Sequence, residues 1–127
     1  MIINLRALAI LLVTELLAGC SFPNVASGRD TASHIRPQLE VLTAAQDVGF
    51  DYVGNLRRAE KGETKAIVAL INFSPRVDAA ASLAHGWVLL DLQKITGREK
   101  FANSLAHATT KGRKTALSDM EVAGTYR

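Results

Sequence analysis

Between Val77 and Ile95 apolar residues leave almost no face of a helix bare, which restricts the fold more than any other feature of the chain. Val77, Ala80, Ala81, Ala84, Val88, Leu92 and Ile95 recur at helical spacing, while Leu83, Trp87 and Leu90 fill another side. Such a helix has to be surrounded by others, so it belongs at the centre of a bundle. Trp87 lies on it and is expected in the core. Ser74-Pro75 predicts the helix start, an N-cap followed by proline at the first helical position, with Asp78 near the positive end of the dipole.

Neighbouring elements are punctuated in the same way. Thr96-Gly97-Arg98-Glu99 has the pattern of a capping box and predicts a further helix, with Phe101, Leu105 and Ala108 as its buried stripe. Upstream, Phe50, Val53 and Leu56 predict a helix that stops at Gly62. Ala66, Ile67, Leu70, Ile71 and Phe73 make a shorter one ending before Ser74. Ala116, Leu117, Met120 and Ala123 mark a last helix closed by Gly124, and residues 38–46 another, carrying Leu39, Leu42 and Ala45. No stretch alternates apolar and polar residues long enough to read as a strand. The expectation is an all-α domain over residues 37–127, a compact bundle of five or six short helices whose short links make neighbours mostly antiparallel.

The joint Ala59-Glu60-Lys61-Gly62-Glu63-Thr64-Lys65-Ala66 resembles the helix–turn–helix corner of Sel1, tetratricopeptide or ankyrin repeats. A repeat array needs further copies at a fixed period, and none occurs, so the resemblance implies at most a loosely solenoid-like bundle.

The N-terminus carries an address. Arg6 precedes the apolar run Ala7-Leu8-Ala9-Ile10-Leu11-Leu12-Val13, which has the length of a signal-peptide core. A spanning helix needs ~20 predominantly apolar residues, and Arg6 and Glu15 cut this one short. Leu17-Ala18-Gly19-Cys20 resembles the lipobox of bacterial lipoproteins. The resemblance implies diacylglycerol on the Cys20 thiol, cleavage before Cys20 and acylation of the new amino terminus. Several acyl chains at ~0.8 kcal/mol per buried CH₂ would hold the domain on a bilayer. It also implies a place in the bacterial envelope facing the periplasm, and Ser21 in place of an aspartate leans toward the outer membrane. Residues 1–19 thus read as signal peptide and 20–36 as a lipidated, flexible tether rich in Ser, Gly, Pro and Asn. The competing reading makes Leu5 to Ala18 a buried or anchoring helix and Cys20 an incidental small residue.

Composition narrows the function. The chain of 127 residues has room for one domain. Fifteen Lys+Arg against twelve Asp+Glu leave +3, too mild an excess for a dedicated nucleic-acid binder. One cysteine excludes an intramolecular disulfide. His34, His85 and His107 are too scattered for a metal site, and Gly49, Gly54 and Gly62 for a phosphate loop, so no metal and no cofactor is expected.

Asp78, Ser82 and His85 form the candidate polar site, spaced to share one helix face. An acid, a hydroxyl and an imidazole on one stripe could build a hydrolytic centre, though no G-x-S-x-G elbow supplies its usual frame. The other reading is a helix-surface or half-buried histidine bonded to a neighbouring carboxylate or carbonyl. Lys111, Arg113 and Lys114 are candidates for phospholipid headgroup contact, or else a solvated basic loop. The expected function is a non-enzymatic envelope lipoprotein, held to the bilayer through Cys20, whose helical domain binds an envelope protein partner. The alternatives are a small periplasmic hydrolase built on His85 and Asp78, and an immunity or inhibitor lipoprotein.

Overall fold

The computed structural model describes residues 35–127, so the signal-peptide, lipobox and Cys20 readings and His34 lie outside the described residues. Six helices form an all-α bundle: α1 (Leu39–Asp47), α2 (Tyr52–Glu60), α3 (Thr64–Phe73), α4 (Ala79–Thr96), α5 (Arg98–His107) and α6 (Thr110–Thr125). No strand occurs among the described residues, and no helix there is long and apolar enough to cross a membrane.

The apolar helix is central, as its sequence requires. α4 packs against α1, α2, α5 and, most extensively, α6. Ala81, Ala84, Val88, Leu89 and Leu92 are buried along it. Two expected core positions are not: Ala80 is exposed and Ile95 is 42% exposed. Trp87 is half-buried instead of sitting in the core. Its indole N–H donates to the Ala123 carbonyl at 3.1 Å. The last turn of a helix leaves such carbonyls short of partners, and an indole needs one acceptor, so the ring settles at the α4–α6 seam.

Helix boundaries agree with the sequence in position more often than in mechanism. Ser74-Pro75 opens a separate 3-10 turn, Ser74–Arg76, and α4 starts later, with Asp78 as its true N-cap accepting from the Ala81 N–H at 2.9 Å. The Thr96 capping box does not form. Thr96 is the last residue of α4 and its hydroxyl donates back to the Leu92 carbonyl, which leaves Gly97 (φ 93°) to end α4 and begin α5 in one residue. That left-handed backbone is open to glycine and strained for other residues. Gly124 does not close α6, which runs on to Thr125. In α1 the buried residues are Val41 and Ala45, while Leu39 is 75% exposed. Ile35, which the sequence assigns to the tether, is buried, and its backbone N–H donates to Glu60 Oε1 at 2.8 Å.

α4 and α6 run parallel, since Gly86, Trp87 and Asp91 meet Asp119, Ala123 and Arg127 in ascending order. They come close at Gly86, where a Cβ would lie 2.3 Å from the Asp119 carbonyl oxygen and 2.8 Å from Ala123 Cβ.

Candidate functional site

His85, on α4, has no exposed surface, and three other elements converge on it. Its Nδ1 is 2.8 Å from the Tyr52 hydroxyl at the start of α2. Its Nε2 is 3.1 Å from the Leu70 carbonyl of α3 and 3.0 Å from Ser74 Oγ in the 3-10 turn. A carbonyl can only accept, so Nε2 carries the ring proton and Nδ1 accepts from the Tyr52 O–H. The surrounding wall is aromatic: Tyr52 and Phe73 meet the imidazole edge-on, with centroids 5.7 and 5.5 Å away, and Phe50 stacks on Phe73 at 4.6 Å.

This setting determines the charge states. Burial lowers the His85 pKa from 6.5 to about 4, against a smaller upward effect of the Leu70 hydrogen bond. Burial also pushes the Tyr52 phenol up, so it stays a donor. A general base needs a ring nitrogen turned toward substrate, whereas here both are occupied by internal partners. The arrangement ties α2, α3, the 3-10 turn and α4 together.

Asp78 and Ser82 do not join it. Asp78 is exposed and caps α4, and the Ser82 hydroxyl donates to the Ala79 carbonyl at 3.3 Å. Asp78 has extended backbone (ψ 177°), so helical spacing does not reach it. Ser82 and His85 are three residues apart, about 300° around the axis, which leaves them about 60° from alignment. That rotation separates a partly exposed hydroxyl from a buried imidazole. The other reading holds in its carbonyl bond and fails in its exposure: His85 is fully internal and bonds the Leu70 carbonyl, a phenol and a serine.

Lys111, Arg113 and Lys114 are on the first turns of α6, not in a loop. Thr109 caps this helix by accepting from the Gly112 N–H at 3.0 Å, and Asn72 Oδ1 accepts from both the Thr109 N–H and its hydroxyl. Lys111 and Lys114 are exposed and Arg113 is half-buried. His107 is exposed, with Nδ1 2.8 Å from the Asn103 carbonyl. Among the described residues no three His, Cys, Asp or Glu side chains gather where they could hold a metal.

Two features had no signal in the sequence. Nothing in local spacing links Tyr52 and Ser74 to His85, which lies 33 and 11 positions away from them. Asp119 in α6 is 8% exposed, and its Oδ2 is buried with no hydrogen-bond partner among the described residues. Burial raises its pKa from 3.8 to about 6. A raised carboxyl pKa contributes stability that is present below 3.8 and lost as pH rises through about 6. Asp119→Asn should therefore stabilise the fold at pH 7 by about 1–2 kcal/mol and have little effect near pH 4. Urea unfolding at the two pH values checks this, and an equal effect at both would show that the buried charge is not the cause.

A surface groove lies beside the bundle core, about 410 Å³ in volume, between α1 and the start of α4. Leu39, Ala44 and Val48 line it together with Glu40, Asp47, Asp78 and Arg76. In comparisons with known proteins, no family model, no curated protein and no solved structure matches this chain.

Proposed function

We propose that the chain is a bacterial envelope lipoprotein, anchored through Cys20, whose helical domain binds another envelope protein without carrying out chemistry of its own. The tetrapeptide Leu17-Ala18-Gly19-Cys20 carries the anchoring part of this reading. The binding part is supported by where the polar groups go. The most chemically capable side chain, His85, is spent on internal hydrogen bonds, while a groove edged by the exposed apolar side chains Leu39 and Val48 faces outward. Lys111, Arg113 and Lys114 suit contact with anionic headgroups, in the envelope membrane to which the lipid holds the domain, the outer membrane in the first instance. Cations at the N-terminal end of a helix oppose its dipole by ~0.3–1 kcal/mol each, so an anionic surface nearby would relieve them.

The experiment is metabolic labelling with a fatty-acid analogue. The wild-type chain is expected to take up label and fractionate with the outer membrane, and Cys20→Ala to remain an unlabelled precursor. Equal label in both proteins would remove the lipoprotein reading.

A further inference from the structure

We propose that the groove between α1 and α4 receives an amphipathic helix of the partner protein, one bearing two basic residues two turns apart with aliphatic residues flanking them. This deepens the interaction-module reading and rests on it, but it does not depend on the lipid anchor.

The groove has the composition of a helix receptor. Thr43, Asp47, Glu40 and Ala44 share the side of α1 that faces it, with Leu39 and Val48 at the two edges, 75% and 45% exposed. Leaving a leucine so exposed at the mouth of a concavity costs apolar hydration that an apolar partner would recover. The volume of about 410 Å³ is within the usual range of binding clefts and large enough for several aliphatic side chains.

Charge decides which partner fits. Glu40, Asp47 and Asp78 line the groove against one guanidinium, Arg76, on a chain whose overall charge is +3. The groove is thus an acidic site on a basic protein, which turns away anionic headgroups and attracts cations. Asp78 is committed to capping α4. Glu40 and Asp47 take part in no ion pair, the Arg127–Asp91 pair being the one salt bridge among the described residues. Seven residues separate them, two turns and about 10 Å along α1. Two lysines or arginines two turns apart on a facing helix have the same separation, and leucines beside them reach Leu39 and Val48, which flank the acidic pair at either end. The described residues form no sheet and offer no strand edge, so an extended peptide has no backbone ladder to join there.

The test uses the full chain in detergent micelles and a synthetic helix of about four turns with two lysines two turns apart and leucines flanking them. A twin peptide carries glutamates in place of the lysines. The basic helix is expected to bind by calorimetry, to weaken about tenfold in the surface variant Glu40→Gln/Asp47→Gln, and to weaken with added salt. Glu40→Lys/Asp47→Lys should reverse the preference toward the acidic twin. Failure of the basic helix to bind, equal binding of both peptides, or binding of spermidine as tight as that of the helix would overturn the proposal. Photoreactive residues at Thr43, in the groove, and at Leu117, on α6, separate this from the wider reading in membranes. A crosslinked envelope protein from position 117 and none from 43 overturns the groove and keeps the interaction module. Crosslinks from neither position overturn both.

Discussion

Gly86→Ala is expected to destabilise the domain by about 3 kcal/mol or more, among the largest effects of any single added methyl group in this protein. The added Cβ would lie 2.3 Å from the Asp119 carbonyl oxygen and 2.8 Å from Ala123 Cβ, and most of that obstruction is backbone. A flexible side chain could move aside, but a helix backbone can yield only by translation. α4 and α6 would have to separate along the most extensive interhelix contact of the bundle. The gap would also loosen the Trp87–Ala123 hydrogen bond. Thermal unfolding of the wild-type and variant proteins measures the loss. Gly124→Ala is the control, because its Cβ would meet no atom within 4 Å, and a helical alanine there should be neutral or slightly stabilising. Equal melting temperatures for Gly86→Ala and the wild type would mean that the two helices are not held this close.

The second large effect belongs to His85. Truncation to alanine would empty a site walled by Tyr52 and Phe73 and strip the Tyr52 hydroxyl and Ser74 Oγ of their partner. Cavity and orphaned polar groups together are expected to cost about 3–5 kcal/mol. His85→Gln keeps one donor and one acceptor and should cost less, about 1–2 kcal/mol. Its value lies in the pH dependence. Burial lowers the folded-state pKa to about 4 from 6.5, so the folded state takes up its proton only at lower pH than the unfolded chain does. The contribution is therefore complete above pH 6.5 and is lost as pH falls toward 4. At 1.36 kcal/mol per unit this amounts to about 2 kcal/mol by pH 5. Asp119 acts in the opposite direction over much of the same range, because its pKa is raised to about 6. In the wild type the two slopes offset one another, so the measurement belongs in the Asp119→Asn background. There, unfolding free energy should fall steeply below pH 6.5, and adding His85→Gln should flatten the profile. A slope that survives the second substitution would place the acid sensitivity elsewhere.

The His85 cluster also shows why a correct fold can coexist with a misread site. Asp78, Ser82 and His85 read as one stripe because sequence spacing treats all three as helical. Asp78 is outside the helix as its cap, and the step from Ser82 to His85 turns the ring from the surface into the core. A cap residue outside the helix has no place on its faces, and three residues along the helix already leave two side chains about 60° out of line. Helix existence tolerates such offsets, and a three-residue constellation does not. The capping box failed for a related reason, since Thr96 remained in α4 and used its hydroxyl on Leu92.

What local chemistry controls was legible in the sequence alone. The apolar periodicity around Val88 and Leu92, and Gly62 at its turn, specify helices, links and an all-α bundle because each signal acts within a few residues. Position in the bundle was legible for α4 because no other arrangement would bury so apolar a helix. Tertiary structure alone decided who meets whom. It brought Tyr52, Leu70 and Ser74 to His85, closed α4 onto α6 at Gly86, left Trp87 at a seam, and opened a groove beside Leu39. These outcomes depend on the rotation and separation of whole helices, set by the sum of many packing contacts, and no short window of sequence contains that sum.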